Sequence, residues 1–112
     1  MATCSRYDVV RVPFPFTDRN AEKHRPALVL SDDSGFNDPA GHSVMAMITS
    51  AVHAPWPLDV EISDLAAAGL SVASIIRFKL FTLDHRLVHG TLGHLGDQDQ
   101  ARVAKAVRKL MV

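Results

Sequence analysis

Five side chains that can bind an anion lie on or directly beside segments with the residue pattern of β-strands: Arg25, Thr49, Ser50, Arg77 and Lys79. If those strands are neighbours in one bent sheet, a guanidinium, hydroxyl groups and two further cations converge on one concavity, which suits a phosphate group. Each residue also has an ordinary structural interpretation. Arg25 fits a strand flank before Pro26, Thr49 and Ser50 fit the start of a turn, and Arg77 and Lys79 fit a solvated strand face. The residue pattern by itself leaves both interpretations open.

Histidines also stand out as chemically active residues, because the chain has six of them. They lie at positions 24, 42, 53, 85, 89 and 94, without a tight ligand cluster or a pair of cysteines. His85 and His89 have the spacing of two ligands on a helix, but Leu87, Val88 and Gly90 favour a turn into a strand there. We therefore expect no metal ion and no cofactor.

Two further kinds of catalytic site lack support. Gly90, Gly93 and Gly96 are not followed by the Lys-Ser or Lys-Thr pair of a phosphate-binding loop. Cys4 lies near the amino terminus, where we expect fraying, and the chain has no Gly-x-Ser-x-Gly segment. Nucleotide hydrolysis and covalent hydrolase chemistry are therefore not predicted.

The composition predicts one small domain. The chain has 112 residues, 47% of them hydrophobic, which is enough for one compact core. Its 12 basic and 12 acidic residues balance, so any nucleic-acid binding must rest on a local patch. With one cysteine, no apolar signal segment and no run of roughly 20 apolar residues, the expected location is the cytoplasm, without a membrane span.

The amino-terminal half predicts three short strands joined by polar connections. Pro13 and Pro15 lack the backbone N–H that strand pairing needs, so the first strand should end at Val12. The predicted strands are Tyr7 to Val12, Pro26 to Leu30 and Val44 to Thr49, and the predicted connections are Thr17 to Lys23 and Asp32 to His42. We expect the first connection to be an exposed loop, and the all-apolar second strand to be covered on both faces.

The carboxyl-terminal half predicts two more strands and a helix. An irregular segment around Trp56 precedes a strand from Asp59 to Ile62. From Ser74 the residues alternate, with Ile76, Phe78 and Leu80 on one face and Ile75, Arg77, Lys79 and Phe81 on the other.

The last segment has the pattern of an amphipathic helix. Asp97 and Gln100 have the spacing of a capping box. The apolar face is formed by Val103, Val107, Leu110 and Met111, opposite Arg102, Lys105, Arg108 and Lys109. Short antiparallel strands followed by one helix predict a mainly β fold, a strongly bent sheet or small barrel with the helix laid on it.

Six segments, in the same order, resemble those of the MazF/PemK toxins: His24 to Ser31, Met47 to Ser50, Leu58 to Ile62, Ser74 to Arg77, Phe81 to Leu87 and Leu92 to Leu95. The resemblance implies an SH3-like barrel with a carboxyl-terminal helix, and a homodimer. It also implies a metal-independent endoribonuclease that cleaves single-stranded RNA at short sequence motifs. Such a protein is the toxin of a type II toxin-antitoxin module, whose cognate antitoxin has a disordered acidic tail.

The resemblance further implies that Arg25 and Thr49 are the catalytic pair. They would stabilise the negative charge that builds on the phosphoryl oxygens when the RNA 2′-hydroxyl attacks phosphorus, leaving a 2′,3′-cyclic phosphate and a 5′-hydroxyl. Substrate binding is predicted at Ser50, Arg77 and Lys79, and at Arg19 in the charged loop.

The sequence departs from the family pattern at two places. Lys79 stands where some members have an acidic residue, so no acid at that position can act as a base, and the segment from Thr17 to His24 lacks the usual glycine and glutamine. His24 and His53 are candidates for proton transfer because histidine titrates near neutral pH, although a loop histidine can also be merely solvated.

Two other functions fit the same fold. A gyrase inhibitor resembling CcdB would rely on a carboxyl-terminal helix that ends in an aromatic residue, whereas this chain ends Leu110-Met111-Val112. A non-catalytic module that binds nucleic acid or protein through a cationic strand face is compatible with the zero net charge.

Overall fold

The computed structural model describes residues 4–14, 23–52 and 54–112. Its strands are β1 (Asp8–Phe14), β2 (Lys23–Val29), β3 (His42–Ser50), β4 (Val60–Glu61), β5 (Ser74–Asp84) and β6 (Thr91–His94). Its helices are α1 (Asp38–Ala40), α2 (Leu65–Ala68) and α3 (Asp97–Met111), with a π-helical turn at Asp33–Asn37 and a 3₁₀ turn at His85–Leu87. None of the helices in these described ranges is long and apolar enough to cross a membrane.

All strand pairs are antiparallel, and the six strands form one sheet in the order β4-β5-β3-β2-β1-β6. The sheet curls into a half-barrel with α3 packed against it. This arrangement confirms the predicted mainly β fold with a carboxyl-terminal helix.

The sheet is covered on both faces near its centre. Leu28 packs with Val103 of α3 in one buried cluster, whereas Ala27 and Val29 belong to a second cluster with Cys4. Adjacent residues of a strand point to opposite faces, so the strand needs apolar side chains at consecutive positions. The prediction that the second strand is covered on both faces is confirmed.

The first two strands run further than the proline pattern predicted. β1 continues to Phe14 and pairs Pro13 with His24, so its predicted end at Val12 was wrong. Arg11 N donates to Gly90 O and His89 N donates to Arg11 O, so the backbone groups of Arg11 lie on the edge of β1 next to β6. The backbone nitrogen of Pro13, two residues further along the strand, lies on the same edge. In the described residues the register of β1 with β6 ends at Val10. No described partner strand therefore requires a hydrogen bond from the N–H that Pro13 lacks.

Several predicted boundaries need correction. β2 begins at Lys23, which belongs to the strand and not to the preceding loop, and Arg25 lies inside β2. The predicted turn-rich connection before β3 contains the helical turns, and Asp32 caps them by accepting a hydrogen bond from Gly35 N at 2.7 Å. α2 was not predicted, because four residues carry too little periodicity to reveal a helix.

An irregularity in β5 modifies the predicted alternation. Met47 pairs with Arg77, but its neighbour Ala46 pairs with Leu80, so β5 has extra residues at this point. Leu80 remains 37% exposed beyond the irregularity, and Ile75, predicted on the outer face, is buried. The strand also extends to Asp84, beyond Phe81, the last residue of the predicted alternation.

The start of α3 differs from the predicted capping box. Gly96 is the residue before the helix, and Gln100 Nε2 donates to Leu95 O at 2.7 Å. The side chain that secures this end is Asp99, which is buried and accepts hydrogen bonds from Ser63 N at 3.0 Å and Asp64 N at 3.1 Å. Asp99 therefore ties the first turn of α3 to the segment after β4.

Cys4 is buried, which corrects the expected frayed terminus. Asn37 Nδ2 donates to Cys4 O at 2.9 Å and so holds this end of the chain against the sheet. Burial raises the pKa of the Cys4 thiol, which makes it a poor nucleophile.

Candidate functional site

A cavity of about 300 Å³ opens between β1, β2, β3 and β5. It is lined by Phe14, Arg25, Met47, Ile48, Thr49, Arg77 and Lys79. Four of the predicted site residues, separated by up to 54 positions in the chain, thus surround one space. The two predicted catalytic residues are among them.

Strand register explains this convergence. Ala27 of β2 is paired with Met47 of β3, and Met47 is paired with Arg77 of β5. Residues two apart on a strand share a face, so Arg25 stands beside Ala27 and Thr49 beside Met47 on the same side of the sheet. Arg25, Thr49 and Arg77 therefore project from neighbouring strands into the same cavity.

The guanidinium of Arg25 is open to an incoming anion. Its central carbon lies 5.0 Å from the centre of the Phe14 ring, a cation–π contact that orients the group without neutralising it. The side chain is exposed, and within the described ranges no carboxylate forms an ion pair with it. This cation keeps its charge for a ligand.

Arg77 has a different environment, because its donors are engaged within the protein. Its Nη2 donates to Asp59 Oδ2 at 3.0 Å and to Ala54 O at 2.6 Å, and its Nε donates to Asp59 Oδ1 at 3.3 Å. The pair is largely buried, with 12% and 17% of the two side chains exposed. Arg77 therefore lines the cavity while holding the segment before β4 in place.

Lys79 supplies a second open cation. Its Nζ lies 4.6 Å from the centre of the Trp56 ring, and the residue is exposed. Lys79 thus links the cavity to the aromatic side chain outside it.

The remaining predicted residues do not all reach the cavity. Ser50 is absent from its lining, and Ser50 Oγ accepts from Val52 N at 3.4 Å at the end of β3. His24 precedes Arg25 on β2 and so points to the other side of the strand, where its ring lies 4.3 Å from that of His89. Arg19 and His53, like most of the predicted exposed loop, lie outside the described residues.

Several residues of the site were not predicted from the sequence. Phe14 stood in a Pro-Phe run that indicated only a strand end, and Asp59 only the start of a strand. Trp56 indicated only the irregular segment before that strand. Their roles come from contacts with distant strands, for which neither spacing nor periodicity is a signal.

The described lining of the cavity contains three cationic side chains but no carboxylate and no histidine. Among residues 4–14, 23–52 and 54–112, no group of three or more histidine, cysteine or acidic side chains is arranged to hold a metal ion. The arrangement can bind a phosphate group and stabilise added negative charge on it.

A larger cavity, of about 490 Å³, lies between the β4 region and α3. Its charged lining residues are of both signs: Asp59, Glu61, Arg102, Lys105 and Lys109. Because these charges compensate one another and no hydroxyl group accompanies them, this cavity is a weaker anion site than the one around Arg25.

A sequence profile described as the PemK-like, MazF-like toxin of the type II toxin-antitoxin system matches residues 5–111. The chain belongs to this toxin family. The matched range includes every strand, α3 and the whole cavity around Arg25. A comparison with curated protein sequences gives no significant match.

Solved structures of MazF-type toxins have the same fold. A crystal structure of MazE-MazF from Deinococcus radiodurans aligns with a TM-score of 0.74 at 22% identity, covering 99% of this chain and 97% of that one. An endoribonuclease in complex with its cognate antitoxin from a mycobacterial species aligns with a TM-score of 0.72 at 17% identity, covering 95% and 92%. At these identities the likeness supports the MazF fold alone.

Proposed function

We propose that this PemK/MazF-family chain is a metal-independent endoribonuclease that cleaves single-stranded RNA at a short sequence motif, and that it acts as the growth-inhibiting toxin of its module. The observation that carries this proposal is the meeting of Arg25, Thr49 and Lys79 around one open cavity. Arg25 has no carboxylate partner among the described residues, and it stands beside a hydroxyl group and a second cation. This arrangement matches the charge of an RNA phosphodiester and its neighbour.

The proposed chemistry uses the RNA as its own nucleophile. The 2′-oxygen forms a bond to phosphorus, the bond from phosphorus to the 5′-oxygen breaks, and the products carry a 2′,3′-cyclic phosphate and a 5′-hydroxyl. Arg25 offers two donors to the phosphoryl oxygens and the Thr49 hydroxyl a third. Such donors contribute about 3 kcal/mol each when they are aimed at charge that develops in the transition state.

One proton must leave the 2′-hydroxyl and one must reach the 5′-oxygen. The described cavity lining has no histidine or carboxylate for this purpose, and His24 faces the other side of β2. His53 follows the end of β3 by three positions and stays our candidate for proton transfer. The comparison of His53→Ala with Arg25→Ala tests that assignment.

We also propose a cognate antitoxin with a disordered acidic tail, a homodimer and a cytoplasmic location. Two of the similar solved structures are toxins in complex with an antitoxin, from Deinococcus radiodurans and from a mycobacterial species. The open cations of Arg25 and Lys79 would attract an acidic segment as they would an RNA strand. A short acidic reading frame beside the gene would support the partner.

The decisive experiment is incubation of the purified protein with mixed single-stranded RNA in excess EDTA. We expect cleavage to persist and the new 5′ ends to accept phosphate from a polynucleotide kinase without prior dephosphorylation. A strand with 2′-deoxyribose at the cut site should resist cleavage, because it lacks the nucleophile. Loss of activity in EDTA, restored by magnesium, would contradict the mechanism.

A non-catalytic RNA-binding protein is the second candidate, favoured by the lack of a proton carrier in the described lining. It would bind the same RNA and leave it intact. Inhibition of gyrase supercoiling, by contrast, would indicate the CcdB-like activity, although the exposed end of α3 at Leu110 and Met111 is aliphatic.

A further inference from the structure

The Trp56 side chain lies beside the cavity without lining it. Trp56 is 43% exposed, and the contact of Lys79 Nζ with its ring, at 4.6 Å from the ring centre, joins it to the cavity wall. A large aromatic ring left this exposed in a small protein provides a stacking surface. Its position next to a cation is therefore the feature to explain.

The turn that carries Trp56 is tightly built. Asp59 N donates to Trp56 O at 3.2 Å, and Trp56 N donates to Asp59 Oδ2 at 2.9 Å. Pro57 fixes the first central position, and Leu58 has a φ of 66°, as in a type II turn, where glycine is usual. A leucine in this conformation costs on the order of 1 kcal/mol, so the surrounding contacts must hold the turn in place.

Those contacts come from the cavity itself. Arg77, which lines the cavity, donates to both carboxylate oxygens of Asp59 and to Ala54 O. The segment that bears Trp56 is thus clamped at both ends by a residue of the cavity. The backbone that carries the ring is therefore held in place relative to the cavity by contacts within the protein.

We propose that Trp56 is a stacking platform for an RNA base next to the cleaved phosphate, and that Lys79 binds the phosphate of that same nucleotide. The inference rests on the proposed RNA substrate. A nucleotide combines a flat ring with an anion, which matches an indole beside an ammonium group. Because the turn is already ordered, stacking requires little additional ordering of the protein.

The emission of this side chain gives a direct measurement, because Trp56 is the only tryptophan of the chain. The wild-type protein is titrated with a 2′-O-methyl oligoribonucleotide, which cannot be cleaved, and with an abasic strand of the same length. We expect the first to quench the emission strongly. The abasic strand should bind through its phosphates and quench little.

Variants separate stacking from other roles. Trp56→Ala should weaken binding of the base-containing strand about tenfold and leave binding of the abasic strand unchanged, whereas Trp56→Phe should retain most of the affinity. In cleavage assays KM should rise more than kcat falls. Phe36→Ala is the matched control, since Phe36 is 39% exposed and lies beyond the other end of β2, outside the cavity lining.

The outcomes are distinct. Equal binding of the base-containing strand by Trp56→Ala and wild type would overturn the inference. If Trp56→Ala also has a lower mass than the wild type in light scattering, the ring lies between two copies of the chain instead. If the wild type neither binds nor cleaves RNA, the proposed function itself fails. If the wild type cleaves RNA and Trp56→Ala matches it, only the stacking role fails.

Discussion

Arg77 and Asp59 form a two-point ion pair, with Nη2 3.0 Å from Oδ2 and Nε 3.3 Å from Oδ1, on the wall of the cavity that Arg25 also lines. Two arginines of one cavity therefore differ in what they can do. The donors of Arg77 hold a protein segment, whereas those of Arg25 have no carboxylate partner in the part of the chain that the structure describes. This division leads to different expectations for their variants.

Replacement of Arg25 should affect the reaction most. Arg25→Ala should lower kcat/KM by a factor of 100 or more, on the order expected for loss of a donor to transition-state charge. Arg25→Lys should not restore full activity, because a point charge cannot offer two donors in one plane. Thr49→Ala should cost less, and Lys79→Ala should mainly weaken RNA binding.

Kinetics on one short RNA that contains the cut site, with circular dichroism of each variant, measures this ranking. Near-native turnover by Arg25→Ala would contradict the site assignment. Abolished turnover in His53→Ala, with an intact fold, would point to a histidine-centred ribonuclease instead.

The Arg77–Asp59 pair should contribute to stability as well as to position. Removing either side chain leaves the other partly buried without its partner, so Arg77→Ala and Asp59→Ala should each lower the free energy of unfolding by about 1–3 kcal/mol. In a double-mutant cycle measured by urea unfolding, the losses should be strongly non-additive. Arg86→Ala is the control: that side chain is 78% exposed in its pair with Asp84, and we expect no measurable loss. Additive losses would show that the two residues act independently.

Asp99 should make stability depend on acid pH. Burial alone would raise its pKa, but hydrogen bonds from Asp64 N, from Ser63 and from Arg102 outweigh burial and lower the pKa below the usual 3.8. A carboxyl whose pKa is lower in the folded state contributes stability above the pKa of the unfolded state, and that contribution disappears as pH falls through the folded pKa.

The measurement is the difference in free energy of unfolding between the wild type and Asp99→Asn. We expect a difference of about 1–3 kcal/mol in favour of the wild type at pH 6–7, decreasing below about pH 4. A difference that stays constant down to pH 2 would show that the ionised carboxylate is not the stabilising species.

Close packing of α2 on β6 should make two glycines intolerant of a side chain. An added Cβ at Gly69 would lie 2.0 Å from Leu92 O, and at Gly93 it would lie 2.4 Å from Ala67 O. Because both neighbours are backbone atoms, Gly93→Ala should destabilise by more than about 2 kcal/mol and Gly69→Ala, with a φ of 73°, by more still.

Gly41→Ala separates the effect of a positive φ from the effect of the steric clash with β6. Gly41 has a φ of 65°, and no atom of the described residues lies within 4 Å of an added Cβ, so its replacement should cost only about 1 kcal/mol of backbone strain. Thermal unfolding of the three variants gives the ranking. An equal loss of stability in Gly41→Ala and Gly69→Ala would mean that β6 moves away from the added methyl group at no measurable cost.

The predictions from sequence were most accurate where the signal is local. Strand-forming residue types, chain-breaking residues and, for β5, alternation placed five of the strands within a few residues. Helical spacing placed α3 almost in full, because side-chain periodicity follows from backbone geometry. The residue types alone left an anion site at Arg25 and Thr49 as one of two interpretations. Six segments in order indicated the family, which the profile match over residues 5–111 confirms.

Tertiary structure decided the features that depend on contacts between distant segments. The engagement of Arg77 by Asp59, the placement of Trp56 beside Lys79 and the burial of Cys4 all require a loop or terminus to fold onto a particular strand. The extension of β1 through Pro13 depended on β6, which stops pairing with β1 at Val10, while β2 pairs with it up to Phe14. No periodicity encodes such relationships, because strand register and loop packing are set by the whole sheet and not by the residues on either side.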